Sequence, residues 1–262
     1  MAADILNSVR AVDCHAHLSN SEFEVDRGSV IEECASKGVM VVDSALSKQE
    51  LKVSLEMAKT SRWVKTTAGW EARNLDREGA LEVIKLIEAN QDWIQAVGEV
   101  GLDRYWVRDR NLWSKQEDIF RMFIDLADRL KKPLVVHSRS AGRACIEILN
   151  SSGFNSVLMH AYDGSVGDAI MAAKKGFLFS IPPSVVRSEQ KQKLVRRLEL
   201  KSLMLESDSP VLGPAKGVRN VPTNVFVSAN TIAQIKRVPQ DDVLRISREI
   251  SLVFFGIIGG KS

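Results

Sequence analysis

A chain of 262 residues, 45% hydrophobic and 26% charged, has the ordinary composition of a soluble globular protein and enough apolar mass for a large core, which excludes a disulfide-stapled miniprotein. Its three cysteines are odd in number and widely spaced, which argues against a secreted disulfide framework and for a reducing, cytoplasmic setting. No apolar run reaches the ~20 residues that span a bilayer, the N-terminal MAADILNSVR lacks the pattern of a secretory signal, and a net charge of +3 permits a polyanionic substrate without predicting one.

In chain order, β-rich apolar runs occur at 11–18 (AVDCHAHL), 39–46 (VMVVDSAL), 64–70 (VKTTAGW), 94–102 (IQAVGEVGL), 133–138 (PLVVHS), 156–162 (SVLMHAY), 177–181 (FLFSI) and 202–208 (SLMLESD). Amphipathic stretches with apolar residues at i, i+3 and i+4 separate them, as in REGALEVIKLIEANQ and SKQEDIFRMFIDLADRLKK. Gly38 and Gly176 mark helix-to-strand joints where a left-handed cap costs little. Pro133 opens the fifth run, where a helix cannot continue. Two C-terminal segments, VFVSANTIAQIKR and DDVLRISREISLVFFG, predict one or two helices that close the outer ring. Strands alternating with helices imply a parallel sheet, and eight repeats predict an α/β fold of the (β/α)8 TIM-barrel type, a single domain over residues 1–262. A doubly wound open sheet would expect a Gly-rich phosphate loop after the first strand, and none is present.

All four histidines fall at the ends of predicted strands: His15 and His17 on the first, His137 on the fifth and His160 on the sixth. Glu99 ends the fourth and Asp208 the eighth, so five strands contribute at the face where barrel active sites lie. Strand alternation turns His15 and His17 to the same side, with Cys14 on the other and Asp13 one step deeper as an orienting group. Alone, the H-x-H pair reads equally as chance. A buried carboxylate needs a cation. For Glu99 that cation is a metal or, alternatively, Arg104 or Arg139. Four histidines and two acids exceed what one tetrahedral zinc uses and suit two divalent ions ~3.5–4 Å apart. Asp208 is assigned as a ligand and as the activator of water. Glu206, of the same strand parity, is a supporting partner or a further cation ligand.

The motifs DCHAHL, GEVGLD followed by Gln116 and Phe120, PLVVHSRSA, MHAYDGS, ESDSP and RNVP stand in the order found in the TatD-type metal-dependent deoxyribonucleases of the amidohydrolase-like superfamily, which the chain resembles from residue 13 to about 222. The resemblance implies that His15, His17 and Asp208 hold one metal, that His137 and His160 hold the other, and that Glu99 bridges them. It implies two divalent ions (zinc, magnesium or manganese) and DNA as substrate, with a metal-activated hydroxide attacking phosphorus. Arg139, Arg219 and Asn220 are candidate phosphate contacts, each with an alternative reading as a salt bridge or loop hydrogen bond. The family's usual His-Pro after the third strand is replaced by AGWEARN, with Trp70, Glu71 and Arg73. Trp70 reads equally as a base-stacking group or as packing. Asp163 stands where serine is common, IPPS follows the seventh strand in place of a glycine, and Val221 replaces an acid in RNVP. All four departures concern substrate handling, so hydrolysis of a small ester, amide or cyclic substrate is the alternative activity. A metal-stabilised nucleic-acid-binding subunit is the non-enzymatic one. No obligate protein partner is expected.

Overall fold

A computed structural model describes residues 8–258. Eight strands form one all-parallel sheet in the order β1-β2-β3-β4-β5-β6-β7-β8. They are β1 (Ala11–Ala16), β2 (Val39–Ala45), β3 (Val64–Ala68), β4 (Ile94–Gly101), β5 (Leu134–His137), β6 (Val157–Met159), β7 (Leu178–Ile181) and β8 (Leu203–Leu205). The intervening helices are α1 (Arg27–Lys37), α2 (Lys48–Thr60), α3 (Arg77–Ala89), α4 (Trp113–Leu130), α5 (Gly142–Ser152), α6 (Val166–Ala173) and α7 (Glu189–Arg197), followed by α8 (Val225–Lys236) and α9 (Gln240–Phe254). The eight predicted strands and the barrel architecture are both present, and the C-terminal segments form two helices. Helix starts follow ordinary capping chemistry: Ser47, Asp76, Ser165 and Ser188 each accept a backbone N–H from the first turn. Gly38 closes α1 with φ 71°, a left-handed cap that a side chain would strain.

The core has two layers. Ala11, Val39, Val41, Ile94, Leu134 and Leu203 pack outward against helix residues such as Val30, Ile87, Phe123 and Ile232. The barrel interior is filled by Val12, Cys14, Met40, Val42, Ala96, Val135, Leu158 and Met204, with Leu252 and Phe255 of the C-terminal segment packed against them. It is therefore a packed core and not a channel, which confines the chemistry to the strand ends. Cys14 corrects one expectation, because it lies inside the barrel and not on the opposite side from the histidines. The register of β1 against β2 shifts between Asp13 and Ala16, so simple alternation does not carry through the D-C-H-A-H segment.

Backbone hydrogen bonds join the two ends of the sheet where site residues sit. The His17 N–H donates to Ser209 O at 2.8 Å, and the Asp208 N–H donates to His15 O at 2.9 Å. β8 itself stops at Leu205. Glu206 and Asp208 are therefore placed by the following loop and not by strand parity, and Asp208 adopts a left-handed φ of 52°, a strained conformation held by this seam.

Candidate metal centre

β4 carries the central carboxylate. Glu99 lies in a second irregularity, the register shift between Val97 and Val100 against β5, and its N–H donates to Ser44 Oγ at 3.1 Å. The flanking glycines of G-E-V-G are required. Gly98 and Gly101 have φ of 129° and 147°, and a Cβ at either would collide with the β5 backbone at Val135 or His137.

The two oxygens of Glu99 face different histidine pairs. Oε2 lies 3.2 Å from His15 Nε2 and 3.5 Å from His17 Nε2. Oε1 lies 2.6 Å from His137 Nδ1 and 3.0 Å from His160 Nε2. Asp208 Oδ1 closes the first group, 3.4 Å from His17 Nε2 and 3.7 Å from His15 Nε2. The His15 and His17 Nε2 atoms are 3.2 Å apart, and His137 Nδ1 and His160 Nε2 are 3.4 Å apart. Bonds of about 2.0–2.1 Å place tetrahedral donor atoms roughly 3.3 Å from one another, so both groups have the spacing of a cation's donor shell. The combinations His15–His17–Glu99, His15–His160–Asp208 and Glu99–His137–His160 each bring three donor atoms within 4.8 Å.

The far sides of the rings set their tautomers. His17 Nδ1 lies 2.9 Å from the Ser44 carbonyl, so it donates and leaves the Nε2 lone pair aimed at the centre. His137 Nε2 lies 3.0 Å from Asp103 Oδ2, which leaves Nδ1 aimed at the centre. His160 Nδ1 faces Glu206 Oε2 at 3.5 Å. Such carboxylate or carbonyl partners orient imidazoles for metal binding. Glu206 is itself fully buried and fixed, accepting from the Ala161 N–H at 2.9 Å and the Ser180 hydroxyl at 2.7 Å. Asp13 accepts from the His15 and Ser207 N–H groups at 3.3 and 2.8 Å, which fixes the backbone on both sides of the seam. Burial pushes its carboxyl well up.

Without a cation, protons take its place. Burial opposes ionisation of Glu99, but the charge of His160 and hydrogen bonds from His137, His15 and His160 hold it well below the usual carboxylate range. Burial also opposes protonation of His17 and His137. The Asp208 hydrogen bond and the Glu99 charge overcome it at His17, and the Asp103 and Glu99 hydrogen bonds do so at His137, so both rise to about 9. His15, buried beside His160, is lowered. The cluster is a buried negative well that demands positive charge, and lone-pair nitrogens converging on carboxylate oxygens fit divalent metal ions. Arg104 pairs with Glu117 at 3.0 Å, and Glu99 has no arginine within ion-pair distance among the described residues, its close partners being histidines.

A cavity of about 410 Å³ opens over the cluster, and Arg73, Trp106, Arg139 and Lys191 form part of its wall. A larger groove of about 780 Å³, lined by Asp125, Asp128, Lys132 and Phe254, contains no histidine. Three candidate substrate contacts lie elsewhere. Trp70 is buried and donates from Nε1 to Asn74 O at 2.8 Å, so it has no free face for a base. Asn220 is 1% exposed and spends both amide protons on Ser207 O and Val211 O, at 2.7 and 2.8 Å. Arg219 forks onto Asp26 and donates to Glu22 O at 2.7 Å, over the Phe23 ring. All three readings as substrate groups give way to loop architecture. Arg139 is in the cavity wall, while Asp163 accepts the Ser140 N–H through both oxygens at 3.1 Å.

Sequence reasoning missed Asp103, Ser44 and Trp106. Asp103 shares alternation with Glu99 and Gly101, a readable signal. Ser44 acts on His17 through its carbonyl, which no side-chain pattern reveals. Among the described residues, no helix is long and apolar enough to cross a membrane.

The human deoxyribonuclease TATDN3 is 37% identical over 262 residues, covering 94% of this chain and 95% of the human protein. An uncharacterized metal-dependent hydrolase of Methanocaldococcus jannaschii is 34% identical over 252 residues, covering 95% of this chain and 98% of its own. The crystal structure of YJJV, a TatD homologue from Escherichia coli K12, superposes with a TM-score of 0.87 at 21% identity, over 96% of this chain and all (100%) of that one. The family model described as TatD related DNase matches residues 12–256, and with the histidine and carboxylate cluster gathered at the barrel mouth, the chain belongs to that family.

Proposed function

We propose that the protein is a divalent-metal-dependent deoxyribonuclease that hydrolyses phosphodiester bonds of DNA at a binuclear centre. The observation that carries this reading is the division of the Glu99 carboxylate, one oxygen toward His15 and His17 and the other toward His137 and His160. His15, His17 and Asp208 would hold one ion, His137 and His160 the other, and Glu99 would bridge them. Of the candidate ions, zinc suits the imidazole nitrogens best, while the Glu99 and Asp208 carboxylates are the donors that manganese or magnesium would use. When bound, two such ions supply Lewis-acid charge to the phosphoryl group and lower the pKa of water.

The chain's own residues do the rest. Asp208, held by its N–H to His15 O, presents a carboxylate at the cavity floor that accepts the proton of the attacking water. Asp103, Ser44 and Glu206 fix the ring orientations. Arg139, in the cavity wall, offers a guanidinium to a phosphate oxygen.

Metal-loaded protein incubated with end-labelled single- and double-stranded DNA, beside a panel of esters and lactones, tests this reading. DNA should be shortened, and Glu99→Gln should lower the rate on the order of a hundred- to a thousandfold and reduce bound metal while leaving the circular dichroism spectrum unchanged. Intact DNA with every divalent metal, together with turnover of a small substrate, would assign the centre to small-molecule hydrolysis instead.

A further inference from the structure

The loop joining β4 to α4 holds two large aromatic side chains in solvent beside the metal cavity. Tyr105 is 41% exposed and Trp106 is 55% exposed. Adjacent exposed aromatic rings at the rim of a cavity are the kind of apolar patch that marks a ligand-binding groove, and this loop is not loose. Asp103 Oδ1 accepts the N–H groups of Tyr105 and Trp106 at 3.0 and 2.9 Å. The Arg104 N–H donates to Arg139 O at 3.0 Å, and Trp113 Nε1 donates to Val107 O at 2.9 Å. The other oxygen of Asp103 holds His137. One carboxylate thus fixes both a candidate metal ligand and the aromatic tip, which sets the tip at a constant position relative to the centre.

Guanidinium groups alternate with these rings. Arg139 lies 4.0 Å from the Tyr105 ring centroid and 5.6 Å from that of Trp106. Arg73 lies 6.0 Å from the Trp106 ring, with its charge engaged by Glu71. Arg139 has no carboxylate within ion-pair distance among the described residues, so the Tyr105 ring positions its charge without cancelling it. Trp106, Arg73 and Arg139 all line the cavity that contains His17, His137 and Asp208. A ring face beside a guanidinium that makes no direct ion pair among the described residues matches the two halves of a nucleotide: a flat base and an anionic phosphate.

We propose that Trp106 is the stacking surface for an unpaired nucleobase next to the cleaved phosphate, with Arg139 on the phosphate and Tyr105 positioning Arg139. This inference rests on the phosphodiesterase reading above and adds the recognition element that Trp70 does not supply. A base paired inside a duplex has both faces covered by its neighbours and cannot reach the indole. The site therefore selects strand ends and unpaired segments by stacking, without reading base identity.

Calorimetric titration of the metal-loaded protein with thymidine 5′-monophosphate and with deoxyribose 5-phosphate isolates the base. Wild type should bind the nucleotide about tenfold more tightly. Trp106→Ala should erase that advantage while leaving deoxyribose 5-phosphate affinity, metal content and melting temperature unchanged. Trp106→Phe should restore most of it, and Arg139→Ala should weaken both ligands. A tenfold advantage that persists in Trp106→Ala overturns the base site. Equal binding of both ligands by wild type, with DNA still cleaved, overturns the base site alone. Retained base advantage with no DNA cleavage overturns the phosphodiesterase reading alone.

Discussion

At the scale of single residues, the centre depends on groups that look interchangeable in sequence and are not. Arg219 and Asn220 are neighbours in RNVP, yet their surroundings give them opposite weights. Arg219 makes a half-exposed ion pair with Asp26, and such pairs contribute ~0–1 kcal/mol. Asn220 is sealed in the loop after β8, where its amide is the donor for Ser207 O and Val211 O. Removing it leaves the buried Ser207 carbonyl unpaired, which costs about 1–3 kcal/mol, frees the part-buried Val211 carbonyl, and loosens the segment that carries Asp208. Asn220→Ala should lower the melting temperature by several degrees, about 2–4 °C for each kcal/mol in a chain of this size, and should reduce activity through Asp208. Arg219→Ala should do neither. Equal thermal shifts in the two variants, read by scanning calorimetry, would show that the Asn220 clamp is not structural.

At the scale of elements, most of the barrel was legible and the loops were not. Runs such as VMVVDSAL and FLFSI announce β2 and β7 because strands buried on both faces are apolar nearly throughout. The convergence of His15, His17, Glu99, His137, His160 and Asp208 was legible because barrel topology forces strand ends together. Cys14 and Asp208 were placed by strand parity, which fails where β1 and β4 shift register and where β8 ends early. Trp70 and Trp106 carry the same side chain, and only the path of each loop decides which is buried. The β4–α4 loop is the element where this matters most, since Asp103 joins His137 to the Tyr105 and Trp106 amides. Asp103→Ala should weaken metal binding about 10–100-fold, the usual effect of losing a carboxylate behind a ligating histidine. It should also speed hydrogen exchange at the Tyr105 and Trp106 amides. Unchanged exchange at both amides would separate the loop from the centre.

At the scale of the whole molecule, ions at this site would pin the open ends of β1, β4, β5, β6 and β8 to one another, so metal and stability are linked. The metal-free state compensates its carboxylates with protons on His17 and His137, each raised from the ordinary 6.5 to about 9. A folded-state pKa above the unfolded one gives stability that is complete below pH 6.5 and fades as pH rises to about 9. Metal ions need those nitrogens neutral, so binding below about pH 9 expels protons, and affinity should weaken as pH falls. At pH 7, titrations of metal into chelator-treated protein in two buffers of different ionisation enthalpy should give apparent enthalpies that differ in proportion to the protons released. The melting-temperature gap between metal-loaded and metal-free protein should widen from pH 6.5 to 9, because protons stop substituting for the ions over that range. A gap that is flat or narrows with rising pH, or a titration enthalpy independent of buffer, would mean that His17 and His137 do not exchange protons for metal.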